Sequence, residues 1–242
     1  MEPGIYRTMA AVEESHWWFS SRRIIVRDAI SRLKLPPHPS ILEPGCGTGG
    51  NLAMLCTFGK VYATDSDGTA CDIARAKNRA TVERGELPDH IPFWGLRPDL
   101  VVMTDVLEHL DRDRESLAAL RARTLPGGYL VATVPAIPWL WSDHDVSHHH
   151  RRRYTESGLR SVVEAAGYKI EILTYFNFLL FPLIAAVRVA QRIIPASRAS
   201  DLKSHGSLMN GLLLRVFSSE RYLINHVRVP IGASLLVVAR NL

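Results

Sequence analysis

Ile41-Leu42-Glu43-Pro44-Gly45-Cys46-Gly47-Thr48-Gly49-Gly50 is the stretch whose reading decides the fold. Two apolar residues finish a buried strand, an acid follows, and four glycines fall within six residues. Glycine lets a backbone turn sharply and approach a ligand with no Cβ in the way. Asn51-Leu-Ala-Met-Leu-Cys56 then reads as a helix whose N-terminus faces that ligand. Strand, glycine loop and helix start form the opening βα unit of a nucleotide-type site.

The same letters spell Gly45-x-Gly47-x-x-Gly50, the dinucleotide fingerprint, so the loop alone is ambiguous. Glu43, two residues before the first glycine, shifts the balance. Acid-x-Gly-x-Gly-x-Gly resembles motif I of the class I S-adenosylmethionine (SAM)-dependent methyltransferases, most of all the small-molecule enzymes related to the ubiquinone O-methyltransferases. The resemblance implies that Glu43, Gly45, Cys46, Gly47 and Gly49 surround the amino-acid end of SAM. An acid is intelligible beside its ammonium group and less so beside a pyrophosphate. S-adenosyl-L-homocysteine is then the product. The alternatives are a non-catalytic SAM-binding or scaffolding protein and an NAD-dependent Rossmann oxidoreductase.

The totals set bounds. A chain of 242 residues allows one large methyltransferase domain with an elaborate cap. With 47% hydrophobic and 22% charged residues the composition is that of a soluble globular protein. The net charge of +5 is mild, and the basic residues are spread out apart from Arg151-Arg152-Arg153, which weighs against nucleic acid as a partner. Cys46, Cys56 and Cys71 lack Cys-x-x-Cys spacing, which argues against a disulfide framework or zinc site and fits a reducing cytoplasm. Glu2, Glu13 and Glu14 with no apolar run do not read as a signal peptide.

Residues 1–39 form a helical arm in this reading. Tyr6–Leu35 is predicted as helix, with a break near Ser20-Ser21, and Pro36-Pro37-His38-Pro39 ends it. His16-Trp17-Trp18-Phe19 packs the arm onto the core or lids the SAM or acceptor site; adjacent aromatics cannot all face one side of a helix. A similar run followed by an arginine pair, here Arg22-Arg23, belongs to the resemblance. The core, residues 40–175 and 230–242, alternates strands and helices. Lys60–Asp65 is the second strand, with Asp65 and Ser66 at its carboxyl end, where a carboxylate can accept both ribose hydroxyls. By resemblance, Gly85-Glu86-Leu87 holds the adenine. Pro98–Asp105 is a buried strand that places Thr104 and Asp105 at the cleft. Asp111–Thr124 is the next helix, Leu125-Pro126-Gly127-Gly128 turns, and Tyr129–Val134 is the fifth strand. Thr155 caps a helix with Leu159, Val162, Val163 and Ala166 inward. Tyr168–Thr174 and Ser234–Ala239 complete a seven-stranded doubly wound α/β sheet whose last strand is antiparallel, as the resemblance implies.

Residues 176–229 split that last hairpin. Phe176–Val187 is nearly all apolar and is followed by Arg188, Arg192 and Arg198. It is shorter than the about twenty apolar residues that span a bilayer. A helical cap over the acceptor is favoured over a homodimer contact or a peripheral membrane contact. The cap and the membrane contact both make the acceptor region lipophilic, whereas a homodimer contact would account for the apolar stretch without an acceptor.

Methyl transfer from a sulfonium is an in-line displacement, and a base is needed when the nucleophile must lose a proton. The richest stretch is Trp141-Ser-Asp-His-Asp145-Val-Ser-His-His-His150-Arg-Arg-Arg-Tyr154. His150 or His144 is the expected base, oriented by Asp145. Trp17, Trp18, Trp141, Arg152, Arg153 and Tyr154 are the expected acceptor contacts, the arginines for an acidic handle. Asp105-x-x-Glu108-His109 resembles the Glu-x-x-Glu-His associated with a divalent cation in ubiquinone O-methyltransferases. The cation is the less favoured reading here.

Overall fold

The computed structural model describes residues 3–193, 206–224 and 226–242. Arg198 and Glu2, named above, lie outside them. One seven-stranded sheet runs in the order β3-β2-β1-β4-β5-β7-β6. Its strands are β1 (Ser40–Pro44), β2 (Lys60–Asp65), β3 (Thr81–Arg84), β4 (Leu100–Thr104), β5 (Tyr129–Pro135), β6 (Lys169–Phe176) and β7 (Ser234–Arg240). The first five are mutually parallel, and β7 runs antiparallel between β5 and β6. Both faces are covered, so the strand interiors are continuously apolar: Leu100–Met103, Leu130–Ala132 and Leu235–Ala239 are wholly buried.

The arm is two helices, α1 (Pro3–Val12) and α2 (Trp17–Ser31). The break falls at residues 13–16 and not at Ser20-Ser21. His16 ends one helix and starts the other, its Nδ1 accepting from the Trp18 amide at 3.3 Å. The helix expected over Asn51–Cys56 is one turn, α3 (Leu52–Leu55). The helices α4 (Gly68–Ala76), capped by Asp67, and α5 (Asp113–Arg123) follow β2 and β4. The polar loop after β5 contains the short helix α6 (Asp143–Ser147), closed by a capping box between Ser142 and Asp145. Thr155 caps α7 (Glu156–Ala165) by accepting from the Gly158 amide at 3.0 Å.

Among the described residues, three helices stand between β6 and β7: α8 (Phe181–Ile193), α9 (Ser207–Ser219) and α10 (Arg221–Ile224). The segment closes on α2. Phe217 of α9 packs against Trp17 and Trp18 at ring separations of 6.0 and 5.4 Å. Asn210 accepts from the Trp17 amide and donates to the Ser15 carbonyl. Buried Glu220 receives the Asn177 and Leu179 amides where α8 begins, and burial pushes its carboxyl up to about 7. Among the described residues no helix is long and apolar enough to cross a membrane.

Candidate active site

The strands β1, β2, β4 and β5 all deliver their carboxyl ends to one edge of the sheet, which is where ligands of such sheets bind. At β1 the chain turns at Gly45, whose φ is +73°; a Cβ there would lie 2.6 Å from a Val106 methyl. Gly47, at φ +54°, has nothing within 4 Å of the same position, so its backbone borders open space. The Gly47 amide donates to Asp65 Oδ2 at 2.9 Å, and the Asp67 amide donates to Oδ1 at 3.0 Å. These bonds fix the carboxylate at the end of β2, while burial pushes its proton affinity up.

Glu43 lies behind this wall, fully buried. Its Oε1 accepts from Asn51 Nδ2 at 2.8 Å, and Asn51 also donates to Thr104 Oγ1 at 2.8 Å. Burial pushes the Glu43 carboxyl up to about 7. Asn51, not Glu43, faces the cavity.

The arm reaches the same edge. Buried Glu13 accepts from Thr48 Oγ1 at 2.7 Å and pairs with Lys77 Nζ at 2.6 Å, fastening the end of α1 to the glycine loop and α4. Arg22 pairs with Asp105 and lies 5.6 Å from the Phe19 ring centre. Asp105 holds a left-handed φ of +55°, its amide donating to the Thr133 carbonyl and its Oδ1 accepting from the Thr133 hydroxyl at 3.0 Å. Both of its oxygens are therefore engaged.

The histidine loop is organised by Asp145, which has no solvent exposure. His150 Nδ1 lies 2.9 Å from Oδ1, Arg153 donates from Nε at 2.7 Å and Nη2 at 3.0 Å, and the Ser142 amide donates at 2.9 Å. Burial works to raise the Asp145 carboxyl, but the hydrogen bonds from His150 and Arg153 hold it well below the ordinary range. With Nδ1 engaged, Nε2 is the His150 nitrogen left for a cavity group. The His109 ring stands edge-on to His150 at 4.7 Å, and burial with its histidine neighbour pushes His109 down to about 4. Glu108 is fully buried, neither oxygen meets a donor from another residue, and burial raises it well above the usual range. His144 stacks on His148 at 4.0 Å.

One cavity of about 1130 Å³ joins these groups. Of the residues singled out from the sequence, it is lined by Gly45, Cys46, Gly47, Asp65, Ser66, Glu86, Leu87, Thr104 and Asp105, by Glu108, His109, His144, His150 and Arg153, and by Trp17 and Trp18. Glu43, Gly49, Asp145, Trp141, Arg152 and Tyr154 do not line it. Arg152 and the Tyr154 hydroxyl both turn to Asp113, at 2.9 and 2.6 Å. The wall also includes Arg22 and Arg23, the pair that belongs to the resemblance, together with Tyr6, Glu13 and Asn51, to which no motif assigned a site role, and Leu183, Ile184 and Val187 of α8.

A family model described as a methyltransferase domain matches residues 19–172. A trans-aconitate 2-methyltransferase of Variovorax paradoxus (strain S110) is 26% identical over 113 residues, which are 45% of this chain and 43% of that protein. The match thus spans less than half the length of that curated relative. Among solved structures, a chain from the complex between the Haloferax volcanii Trm112 methyltransferase activator and a methyltransferase superposes with a TM-score of 0.64 at 16% identity, covering 99% of this chain and 93% of that one. Haemonchus contortus phosphoethanolamine N-methyltransferase 2 in complex with S-adenosyl-L-methionine gives 0.58 at 13% identity over 90% of this chain and 52% of that one. At such identities the structural likeness is one of fold.

Proposed function

This chain belongs to the methyltransferase domain family and is a SAM-dependent methyltransferase, and we propose that it methylates an oxygen of a small lipophilic or lipid-linked acceptor, with His150 taking the proton. The cavity end under the glycine loop fits SAM, because the open space at Gly47 adjoins a fixed carboxylate, Asp65. Gly45, Cys46, Gly47, Asp65 and Ser66 would hold the cofactor there, with Glu86 and Leu87 beside the adenine and Thr104 and Asn51 at the inner wall. Glu43 would act through Asn51. When bound, SAM supplies an electrophilic methyl group on a positively charged sulfur.

The observation that carries the base role is the 2.9 Å contact from His150 Nδ1 to a carboxylate that is itself clamped by Arg153. The carboxylate fixes the tautomer and leaves Nε2 as proton acceptor. His144 sits one ring further out, 6.0 Å from His150, and is the alternative base. Trp17, Trp18 and the α8 side chains supply apolar wall, and burial of acceptor surface against it yields about 25 cal/mol per Å². This supports α8–α10 as the acceptor's cap. Leu208, Met209 and Leu212 of α9 are exposed as well, so vesicle co-sedimentation and solution mass are the checks for a bilayer contact or a homodimer through 176–229. The Glu108-His109 pair keeps the resemblance to the ubiquinone O-methyltransferase group, although Asp105 is committed to Arg22.

The test is transfer of tritiated methyl from SAM to lipid extract and to aqueous metabolites of the source organism. Label in solvent-extractable product, slowed in His150→Ala with SAM affinity unchanged, is the expected result. Label confined to water-soluble products would sink the lipophilic acceptor. A second reading follows the relative named for trans-aconitate: a carboxylate acceptor needs no base, so unchanged turnover in both His150→Ala and His144→Ala would favour it.

A further inference from the structure

We propose that Glu108, His109 and His150 bind one divalent transition-metal cation, Zn²⁺ or one of similar preference, at the wall of the acceptor cavity. One potential ligand atom from each lies within 4.8 Å of the others. The donors come from two separate segments, the turn after β4 and the loop after β5, so sequence spacing alone does not group them. The set also differs from the Asp105-x-x-Glu108-His109 run, because Arg22 and Thr133 occupy the Asp105 oxygens.

The independent observation is Glu108. A carboxylate with two buried oxygens and no donor from another residue costs stability unless something positive completes it. Arg153, the nearby guanidinium of this loop, is spent on Asp145. His150 supplies the outer arrangement common in metal sites, a ring whose other nitrogen is held by a carboxylate. Two imidazoles and one carboxylate suit Zn²⁺ or Fe²⁺ better than Mg²⁺ or Ca²⁺, which prefer oxygen donors. Zn²⁺ ligands at about 2.1 Å stand about 3.4 Å apart in tetrahedral geometry, so the three side chains must close by roughly an ångström. Rotation about side-chain bonds covers that distance, and the remaining coordination position would face the cavity.

This deepens the proposed chemistry while its binding test does not rest on it. Coordination would use the Nε2 lone pair assigned above to the base, so in the loaded protein the cation would supply the acidity of an acceptor hydroxyl, whose proton would pass to solvent in the cavity rather than to His150.

The experiment is calorimetric titration of the metal-free full chain with Zn²⁺, with Mg²⁺ as comparison and no acceptor present. The expected result is one equivalent bound, weak or no Mg²⁺ binding, and a loss in Glu108→Gln larger than the roughly 10–100-fold that outer-carboxylate changes cost. Glu108→Gln keeps shape and removes no hydrogen bond to another residue; its SAM titration and melting curve report whether it is folded. Histidines 144, 148 and 149 are the competing surface chelators, so a variant with all three changed to Ala must retain the equivalent. Zn²⁺ binding that survives Glu108→Gln and His109→Gln, or that vanishes in the triple variant, overturns the site. SAM binding unchanged throughout would leave the methyl-transfer assignment standing when the metal site fails.

Discussion

Changing Asp145 to Asn removes one charge from a group with no solvent exposure, and the consequences follow from its partners. The carboxylate receives His150 Nδ1 and Arg153 Nε on one oxygen, and the Ser142 amide and Arg153 Nη2 on the other. An amide nitrogen placed on either oxygen's site faces donors. If it faces His150, the ring can relieve the clash only by moving its proton to Nε2, which abolishes the proposed base. Arg153, its side chain 8% exposed, is left with an uncompensated charge. Losing one partner of a buried ion pair costs about 3–5 kcal/mol. Separate accounting by charged hydrogen bonds, about 1.5–3 kcal/mol each, describes the same contacts and is not added. At roughly 2–4 °C per kcal/mol for a chain of this size, the melting temperature should fall by about 6–20 °C. The sign with pH is fixed too. A carboxyl held below its ordinary range contributes stability above the unfolded value of 3.8 and loses it as pH falls through the lower folded value. The variant should therefore lose less stability than the parent on acidification. Thermal melts across pH, with nitrogen NMR of the His150 ring, would measure both effects. A fall of less than about 3 °C with an unchanged His150 tautomer would refute the clamp.

Asp65→Ala should weaken SAM binding by about 1.5–3 kcal/mol, roughly tenfold to a hundredfold, in calorimetric titration; undiminished affinity would remove Asp65 from the cofactor site. Glu43→Gln should gain stability over the parent as pH rises. A carboxyl raised to about 7 in the fold from 4.5 loses its contribution between those values, and glutamine, which can still accept from Asn51, has nothing to lose. Urea midpoints at pH 5 and pH 8 that shift equally in both proteins would count against a buried, reluctantly charged Glu43.

What the sequence made legible is what a local backbone demands. Gly45 turns at φ +73° with Val106 where a Cβ would stand, and Gly127, at φ +81°, presents its amide to the Asn241 carbonyl at 2.6 Å; a side chain would clash at the first and be strained by the backbone at the second, so both left letters to read. Strands buried on two faces left continuous apolar runs, and β7 was placed from its run and the family's terminal hairpin. The helix inside the histidine loop also had a signal, Ser142-x-x-Asp145, hidden because Asp145 was assigned to orienting a base; its carboxylate does both. Nothing local marks Glu13, and the motif that marks the Arg22-Arg23 pair does not say which partner Arg22 meets. Their partners Thr48 and Asp105 lie 35 and 83 residues away, and an acid or arginine on an amphipathic helix looks the same whether it is solvated or buried against another element.

The arginines refine what the acceptor can be. Arg152 and Arg153 were expected to orient an acidic handle, yet Asp113 and Asp145 hold them. Every arginine on the cavity wall has a protein acceptor: Asp105 for Arg22, the Glu13 carbonyl for Arg23, Asp89 for Arg112, Asp111 for Arg151, Asp145 for Arg153 and Gln191 for Arg188. Redirecting the buried ones would strand Asp105 or Asp145 at a cost of several kcal/mol. The pairs of Arg112 and Arg151 are different. Their side chains are 55% and 56% exposed, and such surface pairs contribute about 0–1 kcal/mol, so a ligand anion can compete for them. An acidic handle would therefore be met at the cavity rim. In the metal-free chain, the inner wall of Glu108, His109 and His150 offers an uncharged hydroxyl a proton acceptor and offers a carboxylate no cation. Methylation of a hydroxyl deep in the cavity, with charge left at the mouth, is the arrangement that costs the fewest internal ion pairs.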